Sequence, residues 1–292
     1  MTAELSYHNQ PPGLWSLYGK ALLPKGQPPA KDLVLPDLKA ELTGVSTTNR
    51  HLSRYQEICG FEAGTNVPIT WPHILAFPLH LKLLTEKAFP LPLLGLVHLR
   101  NTICQYRPIG AGEVLDIEVR LEGQQHTGRG LEFDLVTEVR SAGKRVWEET
   151  STNLYRQSSG TGPDRKQGAG KPELVRYPKT LDIKAGESIG RQYGRVSGDL
   201  NPIHVHALTA KAFGFPRAIA HGMWSKARVL ALLEQQGSWQ DGPVTVTCQF
   251  KKPFFLPGSA QLNWRENESC WDYQLLNARG DAPHLSGEIR WG

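Results

Sequence analysis

Two long apolar segments, each followed by four strand-like runs, dominate the hydrophobic pattern of the chain. The segment 223–233 is apolar almost all round, which predicts a buried helix, and 74–84 predicts its counterpart. Pro78 either breaks that first helix or sits in its first turn. Several of the runs alternate apolar and polar positions, as half-buried strands do. The predicted strands cover 97–106, 114–122, 131–140, 145–155, 244–251, 260–265, 271–278 and 284–291.

The order of these elements indicates an internal repeat. Residues 157–172 are rich in Gly, Ser, Pro and charge, and they predict a linker between an N-terminal half (1–156) and a C-terminal half (173–292). Matching segments recur in the same order: 55–61 over 193–199 at an offset of 138, then 72–76 over 216–220 and 104–106 over 248–250 at an offset of 144. One helix and one antiparallel meander, repeated, predict two curved sheets that wrap a helix each and pair edge to edge.

The change of offset points to an asymmetry between the halves. The first half lacks six residues between Phe61 and Pro72, and Phe61 stands where the second half has Asp199. No Asn-Pro-x-His follows Phe61. We therefore expect chemistry in the second half alone, with the first half keeping a packing or binding role.

Composition and charge place the chain among ordinary globular proteins. Its 292 residues contain no apolar run of the roughly 18 residues that a membrane span needs. The polar N-terminus lacks a signal pattern and the four cysteines show no C-x-x-C spacing, so we expect reduced thiols, no thiolate zinc site and a cytoplasmic location. The net charge of +5 suits an anionic ligand or an acidic partner, and we expect no nucleic acid.

Candidate chemistry is concentrated in Tyr193–His204. Asp199 and His204 can both move protons and stand five residues apart. Asn201 and Pro202 between them signal a helix start, because Asn caps free N–H groups and Pro has no N–H to lose. Both reactive side chains can then point to the mouth of one binding pocket and hold a water molecule between them. Taken singly they would be a turn residue and a surface histidine; the motif around them favours the pair.

Further residues support this motif. Gly198 allows a backbone shape that a Cβ disfavours. His204, His206 and His221 resemble a metal set, but the first two point to different sides of a helix, so we expect no metal. The supporting residues are Ser197, Gly198, Asn201, Pro202 and His221, the last as a packing or hydrogen-bonding residue beside the site.

Gly222 stands where the second buried helix begins. The unpaired N–H groups and positive dipole end of a helix start stabilise a developing oxyanion, and glycine permits close approach. The alternative is that Gly222 only allows tight packing. Arg217, Lys226, Lys251 and Lys252 are candidates for binding phosphate at the mouth. Candidates for lining an acyl pocket, or for plain core, are Phe77, Leu79, Phe213, Phe215 and Trp224.

The stretches 193–204 and 220–223 together resemble the signature of the MaoC-like (R)-specific enoyl-CoA hydratases, also called hydratase 2. Residues 68–79 look like the double hot-dog acyl-thioester dehydratases. The resemblance covers most of 55–257 and implies an α+β double hot-dog fold, a pseudo-dimer of two sheet-wrapped helices within one chain.

The resemblance also implies a reaction: reversible hydration of a trans-2-enoyl thioester to the (3R)-3-hydroxyacyl thioester. Asp199 and His204 match the catalytic pair, Gly222 the backbone donor to the thioester carbonyl and Asn201 the helix-start residue. The implied substrate is carried by CoA or by the phosphopantetheine of acyl carrier protein, without metal or redox cofactor. The chain is then a monomer or a homodimer. Two alternatives stay open, a hot-dog thioesterase and a non-catalytic acyl-thioester binding protein.

Overall fold

The structure is a computed structural model that describes residues 3–21, 25, 33–93, 95–156 and 174–292. The strands are β1 (Ala3–His8), β2 (Leu38–Ser46), β3 (Leu96–Gln105), β4 (Val114–Thr127), β5 (Gly130–Ser141), β6 (Lys144–Arg156), β7 (Lys179–Ala185), β8 (Val244–Phe250), β9 (Gly258–Glu266), β10 (Cys270–Asn277) and β11 (Pro283–Trp291). The helices are α1 (Leu14–Ala21), α2 (Leu52–Cys59), α3 (Trp71–Thr85), α4 (Ile189–Ser197), α5 (Pro202–Val205), α6 (Ala207–Ala212) and α7 (Gly222–Glu234). The predicted linker, 157–172, lies outside these ranges.

One continuous sheet joins the strands in the order β1-β2-β4-β5-β6-β3-β8-β11-β10-β9-β7. β1 and β2 are parallel and the other neighbours are antiparallel. At its centre β3 from before the predicted linker pairs with β8 from after it, with Ile103 opposite Val246. The predicted edge-to-edge pairing of two sheets is therefore confirmed. No helix within the described ranges is long and apolar enough to cross a membrane.

The two predicted buried helices are present and slightly longer than expected. α7 extends the predicted 223–233 by one residue at each end. α3 has buried side chains almost all round and packs against β2, β4 and β5. Pro72 lies in its first turn, whereas Pro78 lies inside the helix. The prediction that Pro78 breaks or opens the helix is wrong, because burial on every side outweighs one missing backbone hydrogen bond.

All eight predicted strands are confirmed, with the largest error at the end of β4, which runs to Thr127 instead of residue 122. Their alternating patterns are reliable because antiparallel strands bury one face. The elements that the hydrophobic pattern missed are short or mostly polar. They are β1, β2, β7, α1, α2, α4 and α6.

The match at an offset of 138 agrees with the structure. α2 and α4 each end on a glycine in the left-handed conformation, Gly60 at φ 82° and Gly198 at φ 80°. Phe61 follows its glycine as Asp199 follows the other, and the Phe61 side chain is buried. Position for position, an aromatic core residue thus replaces the carboxylate.

The match at an offset of 144 is wrong in register. Cys248 faces the core and pairs with Asn101, whereas Cys104 is half-buried on the opposite face and pairs with Thr245. A slip of one residue turns every side chain of a strand to the other face, so these two cysteines are not structural equivalents.

The length difference between the halves is also larger than predicted. Eleven residues, 60–70, separate α2 from α3, whereas twenty-four, 198–221, separate α4 from α7. The second half thus has thirteen additional residues, not six, and they include α5 and α6. The error arose because Pro72 is helical, whereas Pro216 precedes its helix by six residues.

Candidate active site

The loop after α4 carries Asp199. Its first residue, Gly198, has φ 80°, in the left-handed region that favours glycine, and a Cβ there would also lie 2.8 Å from Leu14 and 3.4 Å from Phe77. Ser197 then accepts a hydrogen bond from the Asp199 N–H at 3.1 Å. The loop conformation is therefore set on both sides before the carboxylate is placed.

His204 is presented by the short helix that the sequence predicts. Asn201 caps it by accepting from the Ile203 N–H at 3.3 Å, and Pro202 is its first residue. The Nδ1–H of His204 donates to the carbonyl of Ile219 at 2.8 Å. This bond fixes the tautomer and leaves the lone pair of Nε2 available as a base. The predicted places of Asn201, Pro202 and His204 are confirmed.

His221 occupies the packing and hydrogen-bonding position that the sequence predicted, against His204 and the Asp199 loop. Its ring stacks on the ring of His204, with centroids 3.8 Å apart. Its Nε2–H donates to the backbone carbonyl of Asp199 at 2.9 Å, and the Asp199 carboxylate lies 3.8 Å from the same nitrogen. Three elements thus converge, since His221 is the N-cap of α7. His206 is exposed and caps α6, away from this group.

The protonation states follow from burial and contacts. Burial lowers the pKa of His204, so its imidazole is neutral near pH 7. Burial and the neighbouring His204 lower the pKa of His221 to about 3. Burial alone would raise the pKa of Asp199, but the adjacent imidazoles and the N–H of Asn201 favour the carboxylate, and the net pKa is lowered. The resting site therefore pairs a carboxylate with a neutral imidazole.

Gly222 is the first residue of α7, as predicted. The leading N–H groups of a helix have no partner within it and carry its positive dipole end. A Cβ on Gly222 would lie 3.0 Å from the ring of Phe250. The Phe250 ring therefore leaves little space beside the backbone of Gly222. Both uses of this glycine, close packing and an open backbone donor, are compatible with the geometry.

Lys226 is not at the mouth, and its predicted phosphate-binding role is wrong. The side chain is completely buried, and its ammonium donates to the side-chain oxygen of Asn101, with the carbonyls of Asn101 and Val246 at 3.4 and 3.3 Å. The helical pattern placed it on α7 but did not show that β3 and β8 cover that face. Burial lowers its pKa to about 8.

The other residues predicted to bind phosphate or to line an acyl pocket differ in their exposure to solvent. Arg217, Lys251 and Lys252 are exposed, and Arg217 lies over the ring of Phe255. Of the predicted acyl-pocket residues, Leu79 and Trp224 are buried core, Phe213 is exposed, and Phe77 and Phe215 are half-buried. Phe77 is the member that lies against the Gly198 loop.

The first half contains a buried polar cluster that the sequence pattern did not predict. His73 lies 2.8 Å from Glu149, and Asn101 donates to the same carboxylate at 2.6 Å. His80, seven residues after His73 on α3, bonds Thr137 at 2.7 Å. Two histidines on one face of an apolar helix were the available signal, but their strand partners are 57 and 76 residues away.

Within the part of the chain that the structure describes, two groups of side chains could hold a metal ion. In each, one ligand atom per residue lies within 4.8 Å of the others: His73, His80 and Glu149 in one group, Asp199, His204 and His221 in the second. The His204 Nδ1 and the His221 Nε2 already bond backbone carbonyls. The expected absence of a metal stays a prediction.

Fold and site together define a double hot-dog protein with an Asp–His pair beside a helix N-terminus. A Mycobacterium tuberculosis protein described as having a double hotdog fold superposes with a TM-score of 0.56 at 11% identity, covering 91% of this chain and 98% of its own.

Sequence comparison narrows this class to one family. The MaoC like domain matches residues 166–269. The 3-hydroxyacyl-thioester dehydratase X of M. tuberculosis is 35% identical over 282 residues, covering 96% of this chain and 99% of the relative. The crystal structure of HtdX from that organism superposes with a TM-score of 0.74 at 32% identity, covering 86% of this chain and 99% of the other. The chain belongs to the MaoC-like dehydratase family and is a hydro-lyase, which confirms the resemblance noted in the sequence.

Proposed function

We propose that the chain catalyses the reversible hydration of trans-2-enoyl thioesters to (3R)-3-hydroxyacyl thioesters. The observation that carries this proposal is the pairing of the Asp199 carboxylate with a neutral His204 whose Nε2 carries the lone pair, at the start of α7. A relative at 35% identity is named a 3-hydroxyacyl-thioester dehydratase. The proposed substrate is carried by CoA or by the phosphopantetheine of a carrier protein. The proposed location is the cytoplasm, and the proposed oligomeric state is a monomer or a homodimer.

The proposed mechanism moves a single proton through the Asp–His pair. In hydration, Asp199 and His204 orient a water and take one of its protons while the hydroxide forms the C–O bond at Cβ. The π electrons of the Cα–Cβ bond move toward the thioester oxygen. The same proton then returns from the pair to Cα, and dehydration is the reverse. Water and thioester balance the reaction, so the proposal includes no metal and no redox cofactor.

The N-terminus of α7 suits the thioester oxygen. Charge develops on that oxygen as the enolate forms, and the backbone N–H of Gly222 is the proposed donor. The stacking of His221 on His204, next to the same helix start, brings donor and bases within one small site. Arg217, Lys251 and Lys252 remain the proposed contacts of the carrier phosphates.

The test is hydration of crotonyl-CoA, followed by the loss of enoyl absorbance and by chromatography of the product. Asp199→Asn and His204→Ala should each lower kcat/KM by about 10²- to 10⁴-fold, as expected when a general acid–base group is removed. His206→Ala, which removes an exposed imidazole two residues from His204, should keep near wild-type turnover.

The product identifies the reaction class. Formation of the (3R)-3-hydroxyacyl-CoA, consumed by an R-specific dehydrogenase, supports the proposal. Free CoA as the main product would indicate a thioesterase, and enoyl-CoA that stays bound and unchanged would indicate a binding protein. Parallel assays with CoA and carrier-protein thioesters of increasing length then determine the carrier and the acyl size.

A further inference from the structure

The N-terminal arm (β1, α1 and Lys25) lies outside the segments that suggested the function, and it reaches the proposed catalytic loop, 198–201. β1 adds to the sheet beside β2, and α1 follows it. Leu17 of α1 is buried, and Leu14 lies against Gly198. Lys25 donates to the carbonyls of Leu84 and Phe89 at 2.8 and 2.6 Å, at the end of α3. The arm is therefore attached before and after α1.

Tyr18 of α1 bonds the two peptide groups that flank Asp199. Its hydroxyl donates to the carbonyl of Gly198 at 2.8 Å and accepts from the N–H of Leu200 at 2.7 Å. Burial, and then the nearby Asp199 charge, raise the pKa of Tyr18, so the hydroxyl stays protonated and able to donate. One side chain thus spans the residue whose carboxylate faces the reaction.

The remaining hydrogen bonds of this loop come from the second half, and they include the bond from His221 to the Asp199 carbonyl. Ser197 accepts from the Asp199 N–H, and the N–H of Asn201 donates to the Asp199 carboxylate at 3.1 Å. That last bond favours the ionised carboxyl. It depends on the peptide course through Leu200, which is the group that Tyr18 holds.

The counterpart position in the first half is organised differently. A Cβ on Gly60 would collide with the guanidinium of Arg228, which also donates to the carbonyl of Cys59 at 3.3 Å. An arginine from α7 therefore covers the loop of the half that has lost its carboxylate. Tyr18 covers the loop that has kept it.

We propose that Tyr18 is a positioning residue for Asp199, supplied by the N-terminal arm to hold the catalytic loop in its working shape. The proposal rests on the proposed function for its kinetic consequence. Its structural content, that the Tyr18 hydroxyl fixes the peptides around Asp199, stands separately.

Tyr18→Phe removes the hydroxyl and keeps the ring. Two neutral hydrogen bonds of ordinary strength correspond to an effect of about 10- to 30-fold, so kcat should fall by that factor with little change in KM. Tyr7→Phe, in β1 of the same arm, is the matched control and should behave as wild type. In an Asp199→Asn background, Tyr18→Phe should cause no further loss, because its effect passes through the carboxylate.

A pH profile separates positioning from general stability. When the loop loosens, the Asn201 N–H bond weakens and the pKa of Asp199 rises, so the acid limb of kcat/KM should move to higher pH. Loss of folded protein lowers the amplitude without moving the limb. Unchanged kcat and an unmoved limb in Tyr18→Phe, or an additional full loss in the Asp199→Asn background, would overturn the proposal.

Hydrogen exchange keeps the two proposals distinguishable. The amide of Leu200 should exchange faster in Tyr18→Phe than in wild type, while Tyr7→Phe leaves it unchanged. If wild type hydrates no enoyl thioester, the proposed function fails, and this exchange rate still decides whether Tyr18 holds the loop. Equal protection in both variants refutes the Tyr18 assignment.

Discussion

Lys226 provides a sharp test of the interior electrostatics. Its ammonium is completely buried and bonds neutral acceptors of Asn101 and Val246. Burial lowers its pKa from 10.5 to about 8. The unfolded chain therefore holds this proton up to about pH 10.5, whereas the folded chain releases it near pH 8.

The direction and size of the effect follow from this difference. Between pH 8 and 10.5 the unfolded state binds more protons than the folded state, so the contribution of Lys226 to the free energy of unfolding rises with pH. Each pH unit of that window is worth about 1.4 kcal/mol, which gives about 3 kcal/mol in all. Below pH 8 both states are protonated and the full penalty of burying the charge is present.

The assay compares wild type with Lys226→Met by urea unfolding from pH 7 to 10.5. The variant fills the same space without a proton, and leaving Asn101 without its donor shifts its stability equally at every pH. The difference between the two proteins should therefore change by about 3 kcal/mol, in favour of wild type, as the pH rises. Parallel curves across this range would show that Lys226 does not titrate early and would refute the argument.

Three further outcomes follow from other positions. Gly222→Ala should lower kcat by about 10- to 100-fold, because the new Cβ meets the ring of Phe250 and displaces the backbone donor. Gly237→Ala, the control at a position with open space around it, should keep the wild-type kcat, and an equal kcat in both variants would contradict the oxyanion role. Asn201→Ala should lower the free energy of unfolding by about 1 kcal/mol through loss of the α5 cap, measured by thermal denaturation, and Asn201→Asp should restore it. Burial lowers the pKa of His80 to about 3, below its value of 6.5 in the unfolded chain, so the free energy of unfolding should fall by up to about 1.4 kcal/mol per pH unit as the pH drops from 6.5 toward 3. His80→Leu should flatten that slope in acid unfolding curves, and an unchanged slope would refute the role of His80.

Local signals account for the parts of the site that the sequence predicted. The Asn201–Pro202 pair encodes its own helix start, and Gly198 encodes its own left-handed turn, so the separation of Asp199 and His204 is readable without tertiary structure. The strands were predictable for a similar reason, because their alternation reflects a sheet that buries one face.

Long-range contacts account for what was missed. Tyr18 lies 180 residues from Gly198, and no pattern within α1 indicates which loop it touches. Lys226 has ordinary helix spacing, and its burial depends on strands from both halves. The cysteine match failed because a residue type shared by two strands does not show that both residues face the same side of the sheet.

The central pairing of β3 with β8 determines how the contact between the two halves responds to dilution of the protein. The strands are parts of one chain, so their contact is intramolecular and its strength does not depend on protein concentration. Residues from both halves, such as Phe77 beside Gly198, therefore stay together in a single molecule. A protein built from two separate subunits would lose this contact at low concentration, whereas here each molecule retains it.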